Sequence, residues 1–258
     1  MEKPLQAALI LGGMPGHDFD FARLEILKLL AEAGVRADVY ADFPAAEALA
    51  SADMLISYTC NLRPSDDHQR ALRDFVEGGK RWLALHGTNA IFDTSPTFAI
   101  TDGYDDFFDL LGSKFLGHPP VSEFEAVVTA AGKGHPLFAG VGNFTVTDEL
   151  YLIEERGDIM VLLEAKGAEP TDLSEGAETI ADGGAHDTQA ATEGATSNGL
   201  VYIRPHGSGA VLFNTLGHCN SAWDGHESGI PANRGSWESP EYYEILRRSI
   251  SWLCEPPV

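Results

Sequence analysis

The first 89 residues alternate short apolar runs with segments of helical spacing, and this alternation constrains the fold more than any other feature. Predicted strands lie at residues 7–11, 35–40 and 54–58, and a fourth opens the stretch 80–89. Strands that alternate with helices form parallel sheets, because each helical crossover returns the chain to the same edge. The sequence therefore predicts an α/β fold with a mainly parallel central sheet and helices on both of its faces.

The alternation weakens beyond residue 89. The pattern there predicts helices at 104–111 and 240–254 and strands at 121–129, 144–147, 159–163, 200–203 and 211–213. The last two strands form a hairpin around residues 205–209. No repeat or linker divides the chain, so we expect a single domain over residues 1–258. Residues 167–197 are rich in Gly, Ala, Thr, Glu and Asp, lack Lys and Arg, and predict a mobile acidic insertion.

Charge and composition exclude several kinds of partner. The formal charge of −22 disfavours binding to nucleic acid or to an anionic membrane. No apolar run reaches the roughly 18 residues of a membrane helix, and the N-terminus lacks a secretory signal, so we expect a cytoplasmic protein. The glycine-rich loop after residue 11 matches neither the dinucleotide fingerprint nor a Walker motif, so we expect no nucleotide cofactor. Homo-oligomerisation is left open.

Four of the nine histidines follow predicted strands: His17, His86, His118 and His218. The carboxyl ends of parallel strands share one edge of a sheet, where α/β proteins bind ligands, so we expect these side chains to converge. Histidine there can act as an acid or base near neutral pH, or bind a metal ion. The chain has no H-x-x-x-H or H-x-H spacing, so the metal case lacks a local signature. A structural role stays open for each histidine, including helix capping by His17.

Carboxylates and one aromatic residue extend this candidate site. Asp18 is placed to cap the first helix. Asp148 and Glu149 follow a predicted strand, where a carboxylate can orient an imidazole, bind sugar hydroxyls or only end the strand in water. Trp223 lies in a polar loop and can either stack on the apolar face of a sugar ring or anchor the loop.

Residues 84–88 have the strand–turn–helix context of a nucleophile elbow, with His86 where such elbows carry Ser or Cys. Cys60 ends the preceding strand and is either a reactive thiol or, more commonly for such a position, a small buried apolar residue. The three cysteines are widely spaced and odd in number, which predicts neither a disulfide framework nor a cysteine zinc site.

These motifs, in this order, resemble those of the ThuA-like (trehalose-utilisation) proteins, relatives of the class I glutamine amidotransferase fold. The matching motifs are Gly-Gly-x-x-x-His17-Asp18-Phe19, Leu-His86-Gly87, Phe115-Leu116-Gly117-His118-Pro119, His135-Pro136-Leu137-Phe138, Asp148-Glu149-Leu150-Tyr151, and Leu216-Gly217-His218 with Trp223. The resemblance implies a flavodoxin-like three-layer sandwich and a role in sugar utilisation, in particular of disaccharides oxidised to 3-keto derivatives. The amidotransferase relatives use an elbow cysteine, so with His86 there we expect no glutaminase activity. The acidic insertion departs from the family's compact pattern.

Two functions from different classes follow from these residues and the resemblance. The first is an enzyme, a lyase, hydrolase or isomerase, that acts on a sugar or 3-keto-sugar by histidine-mediated proton transfer. Its expected catalytic residues are His86, His118, His218 and Glu149, and its expected substrate-binding residues are His17, Asp18, Asp148 and Trp223. The second is a non-catalytic sugar-binding or regulatory domain. A metalloenzyme with a divalent ion held by His86, His118, His218 and Glu149 is a third hypothesis.

Overall fold

The computed structural model of the chain describes residues 3–93, 99–101, 103–166, 197–221 and 232–255. Trp223 and residues 167–196 of the predicted insertion lie outside the described residues. None of the helices in the described ranges is long and apolar enough to cross a membrane.

The strands of the described residues are, in chain order, β1 (Gln6–Gly13), β2 (Arg36–Tyr40), β3 (Met54–Cys60), β4 (Arg81–Leu85), β5 (Phe92–Asp93), β6 (Ala99–Ile100), β7 (Ser113–Gly117), β8 (Ser122–Val128), β9 (Phe144–Asp148), β10 (Leu152–Glu155), β11 (Met160–Ala165), β12 (Gly199–His206) and β13 (Gly209–Asn214). The α-helices are α1 (Phe19–Glu32), α2 (Ala46–Ser51), α3 (Asp66–Glu77), α4 (Asp105–Leu111), α5 (Ala130–Gly134) and α6 (Pro240–Cys254). Short 3-10 helices span His86–Asn89, Pro136–Phe138 and Gly235–Glu238.

Nine of these strands form one sheet, in the order β2-β1-β3-β4-β13-β12-β11-β8-β9. The pairings from β2 through β13 are parallel, and those from β13 through β9 are antiparallel. The sheet is therefore mixed, and the prediction of a mainly parallel, flavodoxin-like sheet is wrong in its second half.

The hairpin between β12 and β13 explains this difference. It turns at residues 207–208 and reverses the chain directly beside β4, so the strands beyond it join with alternating direction. A parallel return needs a crossover of about a dozen residues or more, usually a helix. Between β7 and β12 the described residues contain only one α-helix, the five-residue α5.

Helices cover both faces of the sheet, as the sequence predicts. Buried residues of α1 and α6 pack on one face, and those of α2, α3 and α4 pack on the other. β1, β3 and β4 carry apolar side chains that are buried on both faces of the sheet. Central parallel strands therefore have nearly continuous apolar runs in the sequence. Capping by Asp18 sets the start of α1, because its carboxylate accepts from the backbone N–H of Phe21 at 3.0 Å.

Four strands of the described residues that the sequence pattern does not reveal pair outside the large sheet, β5 with β6 and β7 with β10. β7 and β10 form an antiparallel ribbon, with a register shift between Leu152 and Ile153. The ribbon places His118, just after β7, near the segment that joins β9 to β10. That segment carries Glu149. The contact between His118 and Glu149 links the ribbon to the edge of the large sheet.

Candidate functional site

Four polar side chains from four strand ends meet at one edge of the large sheet. His17, His86 and His218 follow β1, β4 and β13, which run parallel to one another. Glu149 follows β9, which is separated from β13 by four antiparallel pairings and therefore runs in the same direction. The four ligand atoms of these side chains all lie within 4.8 Å of one another. We call these four residues the histidine–glutamate group.

His86 occupies a sharp turn between β4 and the 3-10 helix His86–Asn89. Its φ of 47° lies in the left-handed region, which is uncommon for a residue other than glycine and has the strained form of an elbow. The turn packs so closely on β3 that a Cβ at Gly87 would lie 2.6 Å from the carbonyl oxygen of Thr59. The sequence pattern of an elbow is thus matched by its geometry, with an imidazole at the apex.

A hydrogen bond to the backbone sets the tautomer of His86. Its Nδ1 lies 3.0 Å from the carbonyl oxygen of Thr215, and since a carbonyl only accepts, Nδ1 carries the proton. In the neutral ring Nε2 is therefore the basic nitrogen. Nε2 lies 3.0 Å from Nε2 of His17, 3.2 Å from the hydroxyl of Tyr151 and 3.4 Å from Oε2 of Glu149.

Glu149 is the buried anion among these histidines. Its carboxylate lies 3.0 Å from Nδ1 of His218 and 3.6 Å from Nε2 of His118, in addition to the contact with His86. Burial raises the pKa of this carboxyl, but His118 and His218 lower it, and the net result is a pKa well below the usual range. The side chain is therefore ionised at neutral pH, although only 11% of it is exposed.

Burial and the charge of Glu149 leave two of the histidines with pKa values shifted in opposite directions. Burial lowers the pKa of His218, but Glu149, Asp148 and Asn220 together outweigh this effect, and the pKa rises to about 9. The pKa of His17 is lowered well below its usual value, first by burial and then by His86 and His218. The ring of His218 also lies 3.3 Å, through Nε2, from the side-chain oxygen of Asn220, which leaves Nδ1 facing Glu149.

His118 lies at the border of the group. Its Nδ1 donates to the carbonyl oxygen of Pro119 at 2.8 Å, so Nε2 is the acceptor nitrogen of the neutral ring and faces Glu149. The imidazole stacks on Tyr151 with an interplanar angle of 18°. Three of the four predicted catalytic residues are histidines from separate strands, and the structure brings all four together.

Asp148 lies beneath these side chains, where its carboxylate is completely buried. It accepts hydrogen bonds from the backbone N–H groups of Glu149, Gly217 and His218 at 2.8, 2.8 and 3.1 Å. It also accepts from the backbone N–H of Ser236 at 3.1 Å and from the Ser236 hydroxyl. Five protein donors thus give Asp148 a positioning role, while its predicted contact with substrate stays a prediction.

The other predicted binding residues have different surroundings. Asp18 caps α1 through one carboxylate oxygen, and the other lies 2.7 Å from the Arg234 guanidinium, which stacks on Phe21. His17 is itself a member of the histidine–glutamate group. It therefore lies among the expected catalytic residues and not at their periphery. Trp223 lies outside the described residues, so its role stays a prediction.

Sequence reasoning missed Tyr151 and Thr215 as parts of the site. Tyr151 is two residues from Glu149, and alternate residues of an extended segment share one side, so this spacing was an available signal. The pKa of Tyr151 is raised well above its usual value, first by burial and then by Glu149, so the phenol stays protonated. Thr215 contributes only a backbone carbonyl, for which no side-chain pattern exists.

The histidine–glutamate group is the set that can hold a metal ion among the described residues. It differs from the set expected from sequence in having His17 in place of His118. Three imidazole nitrogens and one carboxylate oxygen are ligands that suit divalent transition metals.

Comparisons with known proteins agree with this fold. The family model described as "ThuA: Trehalose utilisation" matches residues 8–229. A solved ThuA-like protein from Parabacteroides merdae is 14% identical, with a TM-score of 0.65 over 97% of this chain and 90% of that chain. One from Bacteroides uniformis is 16% identical, with a TM-score of 0.66 over 98% and 93% of the two chains. At these identities the structural likeness concerns the fold. No curated protein matches this chain.

Proposed function

This chain belongs to the ThuA (trehalose utilisation) family, and from that premise we propose that it acts in carbohydrate utilisation as an enzyme for sugars that carry a keto group. The observation that supports this most is the approach of His86 and His118 to one buried carboxylate, Glu149, at 3.4 and 3.6 Å. Each imidazole is held at Nδ1 by a backbone carbonyl, so each directs its basic Nε2 towards the same point. A rigidly held pair of bases is the requirement for proton transfer at carbon.

The chemistry of a keto-sugar matches such a site. A ketone acidifies the C–H bonds beside it, and in a disaccharide oxidised at C3 one of these is C2–H, which is next to the glycosidic carbon C1. When the bond breaks, its proton passes to a histidine Nε2 and its electron pair forms an enolate. Re-formation of the ketone then expels the glycosidic oxygen from C1, and this oxygen takes up a proton. The net reaction is an elimination, and return of the proton to the opposite face of C2 instead inverts that carbon and gives isomerisation.

Tyr151 is suited to supply a proton in this sequence. Its hydroxyl lies 3.2 Å from Nε2 of His86, and its raised pKa keeps it protonated at neutral pH. A neutral phenol can donate a proton to a developing enolate or to a departing oxygen. We therefore add Tyr151 to the proposed catalytic residues His86, His118, His218 and Glu149.

A non-catalytic sugar-binding or regulatory domain is the second candidate. It is favoured by one observation, that the elbow carries His86 rather than a nucleophile. In that case the same group would bind a sugar without changing it.

Proton exchange in heavy water separates the two candidates. The protein is incubated in D₂O with disaccharides oxidised at C3 and, as a reference, with the parent disaccharides. We expect loss of the C2–H signal by NMR, or cleavage, only for the keto-sugars. His86→Ala and Glu149→Gln should lower this rate by about 100-fold or more. His206→Gln is the matched control, because His206 ends β12 at the opposite edge of the sheet and pairs with Glu77. Saturable sugar binding with neither exchange nor cleavage would exclude the enzyme proposal.

A further inference from the structure

We propose that the histidine–glutamate group binds one divalent transition-metal ion, with ligand atoms supplied by His17 Nε2, His86 Nε2, His218 Nδ1 and the Glu149 carboxylate. His118 lies outside this set and acts as the base that removes the proton from carbon. The ion site stands on geometry alone. The role of His118 rests on the proposed function.

Three separations between ligand atoms of the group match those of ligands that share one ion. The two Nε2 atoms of His17 and His86 are 3.0 Å apart, and His86 Nε2 is 3.4 Å from Glu149 Oε2. His218 Nδ1 is 3.0 Å from Glu149 Oε1. Adjacent ligands at roughly 2.1 Å from one ion are separated by about 3.0 Å in an octahedron and about 3.4 Å in a tetrahedron.

More polar groups lie close to Nε2 of His86 than can form hydrogen bonds with it. Because Nδ1 carries the proton, Nε2 of the neutral ring has a single lone pair. Three groups surround it within 3.4 Å, namely an imidazole nitrogen, a phenol and a carboxylate oxygen. The carboxylate cannot donate, and only one of the other two can donate well to one lone pair. An ion at the centre uses the lone pairs of the imidazoles and the carboxylate together.

Atoms on the far side of the rings are arranged as in protein metal sites. A metal-binding histidine usually donates its second N–H to a carbonyl or carboxylate, which orients the ring. His86 donates to the carbonyl of Thr215, and His218 Nε2 contacts the side-chain oxygen of Asn220 at 3.3 Å. Nδ1 of His218 has no aligned hydrogen bond, although it lies 3.0 Å from Glu149. Such a contact, close but not aligned for a hydrogen bond, is expected for two atoms that bind the same ion.

The donor types select the class of ion. Three imidazoles and one carboxylate favour Zn²⁺ and its neighbours Mn²⁺, Fe²⁺, Co²⁺ and Ni²⁺, whereas Mg²⁺ and Ca²⁺ prefer oxygen ligands. Four protein ligands on a six-coordinate ion leave two positions. A ketone oxygen and a neighbouring hydroxyl of a sugar fit two adjacent positions. An ion at this point would polarise the ketone and make the neighbouring C–H more acidic.

His118 is placed to accept the proton that this C–H loses. Its Nε2 is the acceptor nitrogen and lies 3.6 Å from Glu149 Oε1, at the border of the group. The C–H bond breaks, the proton goes to His118 Nε2, and the electron pair enters the enolate. Because His86 and His218 bind the ion in this proposal, we assign the removal of the proton from carbon to His118.

Metal content and spectroscopy test the site without any substrate. Protein purified without a histidine tag is stripped with a chelator, and Zn²⁺, Mn²⁺, Co²⁺ and Mg²⁺ are titrated by calorimetry. We expect one transition-metal ion per chain, weaker binding of Mg²⁺, and a Co²⁺ absorption spectrum typical of nitrogen and oxygen ligands. Glu149→Gln and His218→Asn should weaken binding by at least about 100-fold. Both substitutions nearly conserve shape, so they remain informative if His86→Ala does not fold.

Two control variants separate this proposal from the proposed function. His206→Gln should change neither metal binding nor turnover, and His118→Ala should keep metal affinity within a few-fold but lose exchange at carbon. Metal binding that is absent for all the transition ions, or equally strong in Glu149→Gln and His218→Asn, would overturn the ion site. Full exchange by chelated, metal-free protein would overturn the role of the ion at the ketone, while leaving the keto-sugar enzyme intact. Stoichiometric metal binding without exchange would support the site and exclude the enzyme.

Discussion

His86 Nδ1 donates a hydrogen bond of 3.0 Å to the carbonyl oxygen of Thr215, and this contact determines which nitrogen of the elbow histidine faces Glu149. The register of the sheet places the two residues side by side, because Leu85 of β4 pairs with Asn214 of β13. The neighbouring strand thus orients the ring with a backbone atom. Substitution of the Thr215 side chain leaves this hydrogen bond in place, since the carbonyl belongs to the main chain.

Tyr151→Phe should lower turnover while leaving the fold intact. The ring stays packed against Phe115 and His118, but the hydroxyl 3.2 Å from His86 Nε2 is lost. We expect a fall of about 10- to 100-fold in the rate of C2–H exchange. Tyr243→Phe is the control, because its hydroxyl contacts Glu25 on α1 and not the histidine–glutamate group. Equal rates for wild type and Tyr151→Phe would remove the phenol from the mechanism.

Asp148→Asn should destabilise the protein strongly. The buried carboxylate accepts from five donors, and an amide would turn an NH₂ group towards some of them. We expect a loss of roughly 2 to 4 kcal/mol in the free energy of unfolding, measured with urea. Ser236→Ala removes a single donor side chain and should cost about 1 kcal/mol. If both variants unfold at the wild-type midpoint, the positioning role of Asp148 is wrong.

Gly87→Ala should displace the elbow. An added Cβ would lie 2.6 Å from the Thr59 carbonyl oxygen and 3.0 Å from the Cys60 Cβ, so backbone must move. We expect destabilisation of about 2 to 4 kcal/mol and loss of turnover, because the movement shifts His86. Gly134→Ala is the matched control, since its Cβ meets no atom within 4 Å. The close packing of the elbow would be refuted by a Gly87→Ala protein as stable as Gly134→Ala.

Cys60 should be unreactive in the folded protein. Burial, with a smaller contribution from Glu149, raises the pKa of its thiol, and a protonated thiol is a poor nucleophile. With iodoacetamide near pH 8, we expect alkylation of Cys60 to be at least about 10-fold slower than that of the partly exposed Cys254. Site-resolved mass spectrometry measures this, and denaturation should make the sites similar. Rapid labelling of Cys60, or loss of turnover in Cys60→Ala, would reopen cysteine chemistry.

Local patterns were sufficient for much of the fold. The alternation of strands and helices from β1 to β4 was predicted, with each of the four large-sheet strands placed within a few residues, and α6 begins and ends where the pattern places it. These elements have strong periodicity and clear caps, such as Ser65 of α3 with its reciprocal hydrogen bonds to His68. β7 and β10 were missed, because each is a short strand in a two-stranded ribbon whose stability depends on pairing with the other.

The candidate site was partly predictable for a related reason. The carboxyl end of a strand is a local property, so His86 and His218 could be recognised from the apolar runs before them. Which histidines surround Glu149 depends instead on strand order. The sequence hypothesis for a metal site included His118, whereas the group in the structure contains His17, which follows β1.

The sequence by itself determined the α/β class, the helices on both faces of the sheet, and the residues placed at strand ends, because burial periodicity and capping act over a few neighbouring residues. Only the tertiary structure decided the mixed direction of the sheet, the convergence of His17, His86, His218 and Glu149 at one edge, and the hydrogen bond that sets the His86 tautomer. These features join residues more than 60 positions apart. Their physical cause is the pairing of strands that are distant in the chain, and no local pattern encodes it.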